Sequence, residues 1–350
     1  MARRTLPLLI VVIVVSALGW ILLRTYSAKA PGRAFYYWKT EWTGTPEETA
    51  ALQNSQIHRL YMRFFDVIWD PSDRKTHPVS PLRFSAPLPG EMEVVPVVYL
   101  VNAVFLKIDP SDIPQLADNV WGKVTGMTSQ HRIAFHEFQL DCDWSDESRA
   151  NYFRFVDLLH NKAKSEGKIL SSTVRLHQVK YAQRTGIPPV DRGMVMFYNF
   201  SQIQGREPGH SIFNADDARK YASFISSYPL KLDVALPMFS WSVHAREGSV
   251  LGLLEDVGSL DAGSFDGFQK QAPHRYVATR SFFFRGRYFL KGDELLIEET
   301  TPAVTKQAAE LAKIGAGWSK HYDTVALFDL DAKRLNTYST AQIRSILGQF

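Results

Sequence analysis

The sequence predicts an α/β protein, a (β/α)8 barrel of the TIM type preceded by an N-terminal transmembrane helix. Three observations lead to this prediction: eight β-rich runs, polar helix-patterned segments between them, and one long apolar run near the N-terminus. Strands that alternate with helices are typical of βαβ units with parallel pairing, and eight such units close a barrel. A doubly wound open sheet is the alternative, but no glycine-rich phosphate loop follows the first strand.

The apolar run covers residues 6–23 without a charge, and Arg3 and Arg4 precede it. At ~1.5 Å per residue, a helix of this length just crosses the hydrocarbon core of a bilayer. The arginines favour the cytoplasmic side, so the rest of the chain would be exported. We expect residues 1–33 to anchor the protein in the bacterial inner membrane, with the barrel on the periplasmic or extracellular side. The alternative is a cleaved signal segment and secretion to the periplasm, although Pro31 is a poor context for signal peptidase.

Composition and charge restrict the class of function. The chain has 350 residues, 45% of them hydrophobic, and a formal net charge of +4. This composition indicates a folded protein, and lysine and arginine are scattered among the acids, which argues against nucleic acid as a partner. Cys142 is the one cysteine, which excludes an internal disulfide and a multi-cysteine zinc site. No cofactor and no metal site are expected.

The eight predicted strands follow the anchor in chain order. They are AFYYWKTEW (34–42), IHRLYMRFFDVIWD (57–70), VVPVVYLVNAVF (94–105), AFHEFQLDCDW (134–144), ILSSTVRLHQVKY (169–181), GMVMFYNF (193–200), LDVALPMFSW (232–241) and DTVALFDLD (323–331). Several intervening segments open with Ser, Thr, Asp or Asn, the residues that cap helices. A strand–turn–strand pattern around Arg285 and Gly286 predicts a small β insertion at about 245–300. The barrel itself is predicted to cover residues 34–350.

The fourth predicted strand carries a polar residue at every second position: Glu137, Gln139, Asp141 and Asp143. Side chains alternate across a strand, so these four share one face, which in a barrel is the interior. Crowded carboxyls raise the pKa of at least one of them, and a protonated acid is what a glycosidic bond needs to leave. The pattern favours a catalytic site with the two aspartates at the mouth. The alternative is a strand end whose acids cap a helix or pair with arginines.

Several motifs carry a resemblance to known families. QLDCDW resembles the fourth-strand signature D-G-φ-D-φ-D-x-E of family 18 glycoside hydrolases, the chitinases and their relatives. VMFYNF (195–200) resembles their sixth-strand M-x-Y-D, and LPMFSW (236–241) resembles their seventh-strand segment. The segments RFFD, QLDCDW, RLHQVKY, PPVDRG and FSW also resemble an uncharacterised family of exported bacterial proteins. The resemblance implies a retaining glycosidase that acts on an N-acetylated or bacterial polysaccharide.

The resemblance also implies roles for single residues. Asp143 takes the place of the general acid, Asp141 that of the carboxylate that orients the sugar's acetamido group, and Tyr198 that of the tyrosine that hydrogen-bonds the acetamido oxygen. Two aspartates of the family are replaced here, by Gln139 and Asn199. Asp143 is one methylene shorter than the family's Glu, so its proton would be delivered from a different place. Glu137 therefore stays open as an alternative acid.

Other polar residues near strand ends are candidates for substrate binding. Arg63, beside Asp66, could hold a substrate carboxylate or sulfate, or it could neutralise the carboxyl cluster. Arg175 is a suitable partner for Asp141 or Asp143, because its guanidinium matches a carboxylate. His177, expected on the same strand face as Arg175, could carry a proton or hydrogen-bond a sugar. At the eighth strand, two acids are expected to line the rim or, more simply, to cap the final helix: Asp329 and Asp331.

Aromatic rings at a barrel mouth can stack on the apolar faces of sugars. Four tryptophans fall at or just beyond predicted strand ends: Trp38, Trp69, Trp144 and Trp241. Each could also be part of an ordinary aromatic core, but a sugar site favours at least some of them at the mouth. We include Trp38, Trp144 and Trp241 among the substrate-binding candidates.

The sequence leaves three classes of function open. The first is a membrane-anchored, extracytoplasmic enzyme whose partner is a polysaccharide or oligosaccharide. The second is a carbohydrate-binding barrel without catalysis, which the Asp at the acid position favours. The third is a metal-dependent transferase or phosphatase, because two aspartates one residue apart also hold Mg²⁺. No phosphate-binding glycine loop accompanies them, which argues against this third class.

Overall fold

The computed structural model describes residues 30–198, 203, 205–206, 211–317 and 322–350. The predicted anchor at 6–23 and the candidate Asn199 lie outside these residues and stay predictions. Residues Gly32–Phe350 form one compact unit. Within the described part of the chain, no helix combines the length and the apolar character needed to cross a bilayer.

Eight parallel strands close into a barrel. They are β1 (Gly32–Tyr37), β2 (Arg59–Asp70), β3 (Glu93–Leu100), β4 (Glu137–Asp141), β5 (Ile169–Arg175), β6 (Arg192–Met196), β7 (Lys231–Pro237) and β8 (Thr324–Phe328). Each strand pairs in parallel with the next, and β1 closes the ring because Ala34 lies opposite both Arg59 of β2 and Ala326 of β8. The predicted parallel barrel is confirmed, and the open doubly wound sheet is wrong.

Helices follow most strands and cover the outside of the barrel. The longer ones are α1 (Pro46–Asn54), α2 (Ile113–Gln130), α3 (Arg149–Ser165), α4 (Ala215–Ala222), α5 (Pro302–Ala316) and α6 (Thr340–Leu347). Shorter helical turns lie at Ala103–Lys107, Pro110–Asp112, Leu176–Lys180, Ala182–Thr185, Ser259–Gly263 and Ala332–Leu335. Four side chains accept a backbone N–H in the first turn of a longer helix, as N-caps do: Thr45, Asn214, Thr301 and Ser339.

Two of the predicted strands are longer than the strands in the structure. Strand β5 stops at Arg175, whose backbone N–H donates to Gln178 Oε1 at 2.8 Å, and a helical turn begins at Leu176. His177 therefore lies on a helix, and the prediction that it shares a strand face with Arg175 is wrong. Strand β4 likewise stops at Asp141, so the side chains after it no longer alternate between the two faces of a strand.

An antiparallel β insertion separates β7 from β8. Its five-stranded sheet consists of Ser240–Arg246, Ser249–Glu255, Phe268–Ala272, Arg275–Ala278 and Glu294–Glu299. A hairpin of Phe282–Phe284 and Arg287–Phe289 turns at Arg285 and Gly286, both with positive φ, as a type I′ turn requires. The insertion begins at Ser240, earlier than the predicted bound near 245. Elsewhere, Lys75–Val79 pairs antiparallel with the end of β2, and Glu41–Trp42 pairs with Arg83–Phe84.

A buried carboxylate holds the insertion together. Asp293 is 2% exposed and accepts hydrogen bonds from His244 Nε2 at 2.8 Å, from Arg246 Nε at 2.6 Å and from the Leu290 N–H at 2.8 Å. Burial alone would raise the pKa of Asp293, but the hydrogen bonds from Arg246 and His244 outweigh it and hold that pKa well below its ordinary value. The carboxylate thus contributes stability in its ionised form.

We expect Asp293→Asn to lower the free energy of unfolding by about 2 kcal/mol at neutral pH, because hydrogen bonds to a charged group are lost. A folded pKa below the unfolded one gives stability that is present above the unfolded pKa and is lost as pH falls through the folded pKa. The difference between variant and wild type should therefore shrink in acid. Urea unfolding followed by tryptophan fluorescence measures it. The matched control is Asp266→Asn, a fully exposed acid of the same insertion, and an equal loss in both variants would contradict the expectation.

Candidate active site

The mouth of the barrel holds a cavity at the carboxyl ends of the strands, where barrel enzymes place their sites. Its volume is about 330 Å³, which is within the range of small-molecule sites. Six of the residues predicted from the sequence line it: Trp38, Arg63, Asp141, Arg175, Tyr198 and Trp241. The remaining lining comes from other strand ends and from the β insertion.

Asp141 is the last residue of β4 and is buried. Its Oδ1 accepts hydrogen bonds from Thr173 Oγ1 at 2.6 Å and from Arg175 Nη2 at 3.2 Å, both from the neighbouring strand β5. The guanidinium compensates the buried negative charge, as a buried carboxylate requires. The structure thus places Arg175 beside Asp141, one of the two partners that the sequence left open for it. It does not pair Arg175 with Asp143.

The two deeper polar residues of β4 belong to the barrel interior. Gln139 Oε1 accepts from the Tyr36 hydroxyl at 2.5 Å, and its Nε2 donates to Ser171 Oγ at 3.2 Å. Glu137 is the first residue of β4 and accepts from Ser171 Oγ at 2.6 Å. At ~3.3 Å per residue it lies about 13 Å below Asp141 along the strand. Burial raises the pKa of Glu137, but a glycan at the mouth is out of its reach, so the alternative that Glu137 is the acid is wrong.

Asp143 stands on the rim. Its side chain is 57% exposed and lies 3.8 Å from Nε2 of His177. Loss of water around the imidazole lowers the pKa of His177, the Asp143 carboxylate raises it, and the Arg175 guanidinium lowers it again, with a net lowering. The prediction that Asp143 shares the buried interior face with Asp141 is wrong, because β4 ends at residue 141. Asp143 is not among the residues that line the cavity.

Tyr198 follows β6 and lies against the aromatic floor of the cavity. Its ring packs edge-on against Phe239, with centroids 5.3 Å apart, and against Phe328 at 5.4 Å. Burial raises the pKa of Tyr198 well above its ordinary value, although Arg175 opposes the shift. The phenol therefore keeps its proton and can donate a hydrogen bond to a ligand. Arg175 interacts with both Asp141 and Tyr198, so these three residues form one group.

Arg63 and Trp38 form another part of the lining. The Arg63 guanidinium lies 5.4 Å from the centre of the Trp38 ring. It makes two hydrogen bonds to Asp66, one of them from Nε to Oδ1 at 2.6 Å and the other from Nη2 to Oδ2. Arg63 therefore neutralises Asp66 and not the carboxyls of β4. The Trp241 ring packs edge-on against Phe239 at 5.6 Å and contributes a second indole to the cavity.

Trp144 is a core residue, and its assignment to the sugar site is wrong. It is 1% exposed and stacks on Tyr152 with ring centroids 5.2 Å apart. Its Nε1 donates to the Thr185 carbonyl at 2.9 Å. The chain leaves the strand after Asp141, so strand-end position no longer places this ring at the mouth.

The wall that the insertion contributes does not follow from the sequence pattern. Ser240, Glu255 and Asp256 come from the insertion and line the cavity together with Asp329, which follows β8. Of the two acids at the end of β8, Asp331 caps the next helical turn by accepting from the Lys333 N–H at 2.7 Å. Asp329 faces the cavity instead. The position of Asp329 at the carboxyl end of a barrel strand could have indicated from the sequence that it lines the cavity. Nothing in the sequence pattern of the insertion indicated the same for Asp256.

The two aspartates of the QLDCDW motif do not converge on one point. Asp141 is held by Arg175, and Asp143 faces His177 on the rim. Within the described residues, the three-residue acid and histidine group close enough to hold a metal ion lies at the end of β2 and in the hairpin that follows, outside the cavity: Asp70, Asp73 and His77. The arrangement of the motif therefore does not favour the metal-dependent transferase or phosphatase.

The chain has a chitinase-like barrel. Its structure matches the C-terminal domain of a putative chitinase from Desulfitobacterium hafniense with a TM-score of 0.55 at 10% identity, over 91% of this chain and 100% of that one. The spore cortex-lytic enzyme SleL of Bacillus cereus matches at 0.51 and 12%, over 91% and 74% of the two chains. A Cycas revoluta chitinase in complex with (GlcNAc)4 matches at 0.50 and 13%, over 90% and 98%. No protein-family model and no curated protein matches the sequence.

We expect Trp144→Ala to lower the free energy of unfolding by about 3–5 kcal/mol, because it removes a fully buried indole and leaves a cavity. Trp241→Ala should cost clearly less, since that ring is only partly buried against the cavity. Urea unfolding of the two variants beside the wild type measures the difference. Equal stability of wild type and Trp144→Ala would contradict the core position of this ring.

Proposed function

We propose that the protein is a membrane-anchored, extracytoplasmic glycosidase of the retaining type that acts on an N-acetylated or bacterial polysaccharide. The observation that carries this proposal is the group of Asp141, Arg175 and Tyr198 in a cavity at the mouth of a chitinase-like barrel. In the substrate-assisted route, the sugar's own acetamido oxygen is the nucleophile and the enzyme supplies an acid and an orienting carboxylate. In this group, Asp141 would supply the carboxylate that orients the acetamido group.

The geometry supports roles for these side chains. Both hydrogen bonds to Asp141 reach Oδ1, so Oδ2 would accept the acetamido N–H. The Tyr198 hydroxyl would donate to the acetamido oxygen as that oxygen attacks the anomeric carbon. The bond from that carbon to the leaving oxygen breaks, and the leaving oxygen takes a proton from the acid. Water then opens the cyclic intermediate and returns a proton to the same carboxylate.

Asp143 is the residue that we propose as the acid. It takes the position of the acid in the QLDCDW motif, and its exposed place on the rim lets it meet a leaving group that extends out of the cavity. The shorter side chain predicts slow proton delivery, since the rate of such a step depends steeply on position. His177 Nε2 lies 3.8 Å from the Asp143 carboxyl, and its lowered pKa favours a neutral imidazole there.

Comparison with other proteins supports the substrate class. One structural neighbour is a spore cortex-lytic enzyme and another is a chitinase in complex with (GlcNAc)4. The predicted anchor at residues 6–23 would hold the barrel outside the cytoplasm, where such polysaccharides lie. We therefore place the proposed activity at the outer face of the bacterial inner membrane.

Incubation of the full-length protein with N-acetylated and bacterial glycans, read by mass spectrometry, tests the proposal. We expect Asp143→Asn to lower turnover by about 10²–10⁴, the usual worth of a general acid, and Asp143→Glu to retain or raise it. Asp141→Asn should also lower turnover, because the acetamido group loses its orienting carboxylate. EDTA should have no effect.

The matched control is Asp146→Asn, an exposed acid of the same loop that pairs with Arg184 at 3.2 Å. It should leave turnover unchanged. Turnover that survives Asp143→Asn would remove this residue as the acid, and turnover that EDTA abolishes would overturn the metal-free mechanism.

A second function, sugar binding without cleavage, is favoured by one observation. The side chain at the acid position is a short aspartate that is more than half exposed and does not line the cavity. Saturable binding of a glycan in the same assay, without products and unchanged in Asp143→Asn, would support this second function.

A further inference from the structure

One wall of the cavity carries buried polar atoms that no described residue satisfies. Asp329 is 5% exposed, and its Oδ1 has no hydrogen-bond partner in the described part of the chain. The same holds for Ser240 Oγ and for Trp241 Nε1. All three residues line the cavity. Leaving a buried polar atom unpaired costs free energy, so three such atoms in residues that line one cavity indicate a site built for a ligand.

Among the described residues, this wall also has more carboxyls than cations. Asp256 and Glu255 of the insertion line the cavity beside Asp329. The charge of Lys39 acts on both acids, but Lys39 is already bound to Asp331 at 2.8 Å and to a second carboxylate at 2.9 Å. Lys333, which also acts on Asp256, is bound to Asp261 at 3.0 Å. Among the described residues, neither Asp256 nor Asp329 forms an ion pair. In the part of the chain that the structure describes, these two carboxyls therefore have no cation bound directly to them.

The arginines of the cavity do not fill this role. Arg63 lies near Glu255 but donates two hydrogen bonds to Asp66. Arg175 is bound to Asp141 at 3.2 Å on the other part of the lining. Each guanidinium thus neutralises a carboxylate of its own, and among the described residues neither arginine of the cavity pairs with Asp256 or Asp329.

The groups that face Asp329 determine its protonation. Burial raises the pKa of Asp329 well above its ordinary value, and the carboxylates of Asp256 and Asp331 raise it further, against the opposing charge of Lys39. The Tyr198 phenol also faces this carboxyl. In the free protein Asp329 therefore carries a proton at pH values where an exposed aspartate does not. A cation bound next to it would favour the ionised form.

We propose that this wall is a subsite for a free, protonated amino group, so that the glycan contains de-acetylated amino sugar units. The ammonium lies between Asp256 and Asp329 and pairs with both carboxylates. Ser240 Oγ and Trp241 Nε1 bind the oxygens of the same sugar, and the Trp241 ring contacts its apolar face and its charge. This inference rests on the proposed function, because it specifies the substrate class of the same cavity.

The two parts of the lining then recognise different sugar units. Asp141 and Tyr198 fit an N-acetylated unit, while Asp256 and Asp329 fit a unit whose acetyl group has been removed. A partially de-acetylated polysaccharide satisfies both. A fully N-acetylated one leaves the two carboxyls at the insertion wall unpaired.

Calorimetric titration of the full-length protein tests the inference with two probes, a glucosamine tetramer and an N-acetylglucosamine tetramer. At a pH where the amines are protonated, we expect the glucosamine tetramer to bind at least about tenfold more tightly, a ratio that corresponds to one good charge-assisted contact. Asp329→Asn and Asp256→Asn should each remove this preference. Asp256 is exposed at the surface of the wall, so its variant keeps the test valid even if Asp329→Asn unfolds. Asp266→Asn changes a fully exposed acid of the insertion that pairs with Arg280 at 3.5 Å and is not among the cavity-lining residues. This control should leave both affinities unchanged.

The pH dependence gives a second readout. Affinity for the glucosamine tetramer should rise as pH increases through the raised pKa of Asp329, because the bound ammonium needs the carboxylate, and this rise should vanish in Asp329→Asn. Equal or tighter binding of the N-acetylated tetramer, no binding of either, or a preference that survives both variants would overturn the inference.

The same samples are assayed for cleavage, which separates this inference from the proposed function. Cleavage of glycans without a preference for free amines would overturn the subsite and leave the glycosidase. Tight, carboxylate-dependent binding of the glucosamine tetramer with no cleavage of any glycan would keep the subsite and overturn the glycosidase.

Discussion

Closure of the barrel through β1 is the constraint on which the rest of the structure depends. Because β1 pairs with both β2 and β8, the eight strands have no free edge, and each must turn one face into a space without water. Polar side chains on that face have to find partners on other strands. Tyr36 of β1 donates to Gln139 of β4 across the interior, and Thr173 of β5 donates to Asp141. The chemistry at the mouth is held in place by these bonds.

The same constraint explains why an amide stands at position 139. Arg175 is the guanidinium that compensates the buried charge at the top of β4, and it is already bound to Asp141. A carboxylate at position 139 would be a second buried charge, held in a space where Tyr36 and Ser171 offer only neutral partners. Gln139 accepts from one and donates to the other without adding charge. Asp141 therefore keeps a fixed ion pair with Arg175 and shares no proton with the side chain at position 139.

Most of the fold could be predicted from the sequence, because strand alternation and strand count follow directly from side-chain periodicity. The errors lie where the chain leaves a strand. Strand periodicity places Trp144 and His177 at strand ends, but β4 and β5 end earlier. Trp144 therefore lies in a loop and His177 on a helical turn. The wall with Asp256 could not be predicted, since it depends on a contact between the insertion and the end of β8. A local sequence pattern does not predict a contact between segments about 70 residues apart.

The β insertion makes the mouth of the barrel asymmetric. Its wall is fixed before any ligand binds, because the Asp256 N–H donates to the Ser240 carbonyl at 3.2 Å and the Met238 N–H donates to the Phe328 carbonyl. A further bond set, from Ser211 to the buried Glu298 at 2.7 Å, ties the insertion to the chain that follows β6. Such preorganisation matters for charge recognition, since carboxyls that could separate would relieve their repulsion by moving apart. Asp256 raises the pKa of Asp329, and a proton or a bound cation relieves this repulsion. The insertion therefore supplies the cavity wall that carries Asp256, while the strand ends of the barrel position Asp141 and Arg175.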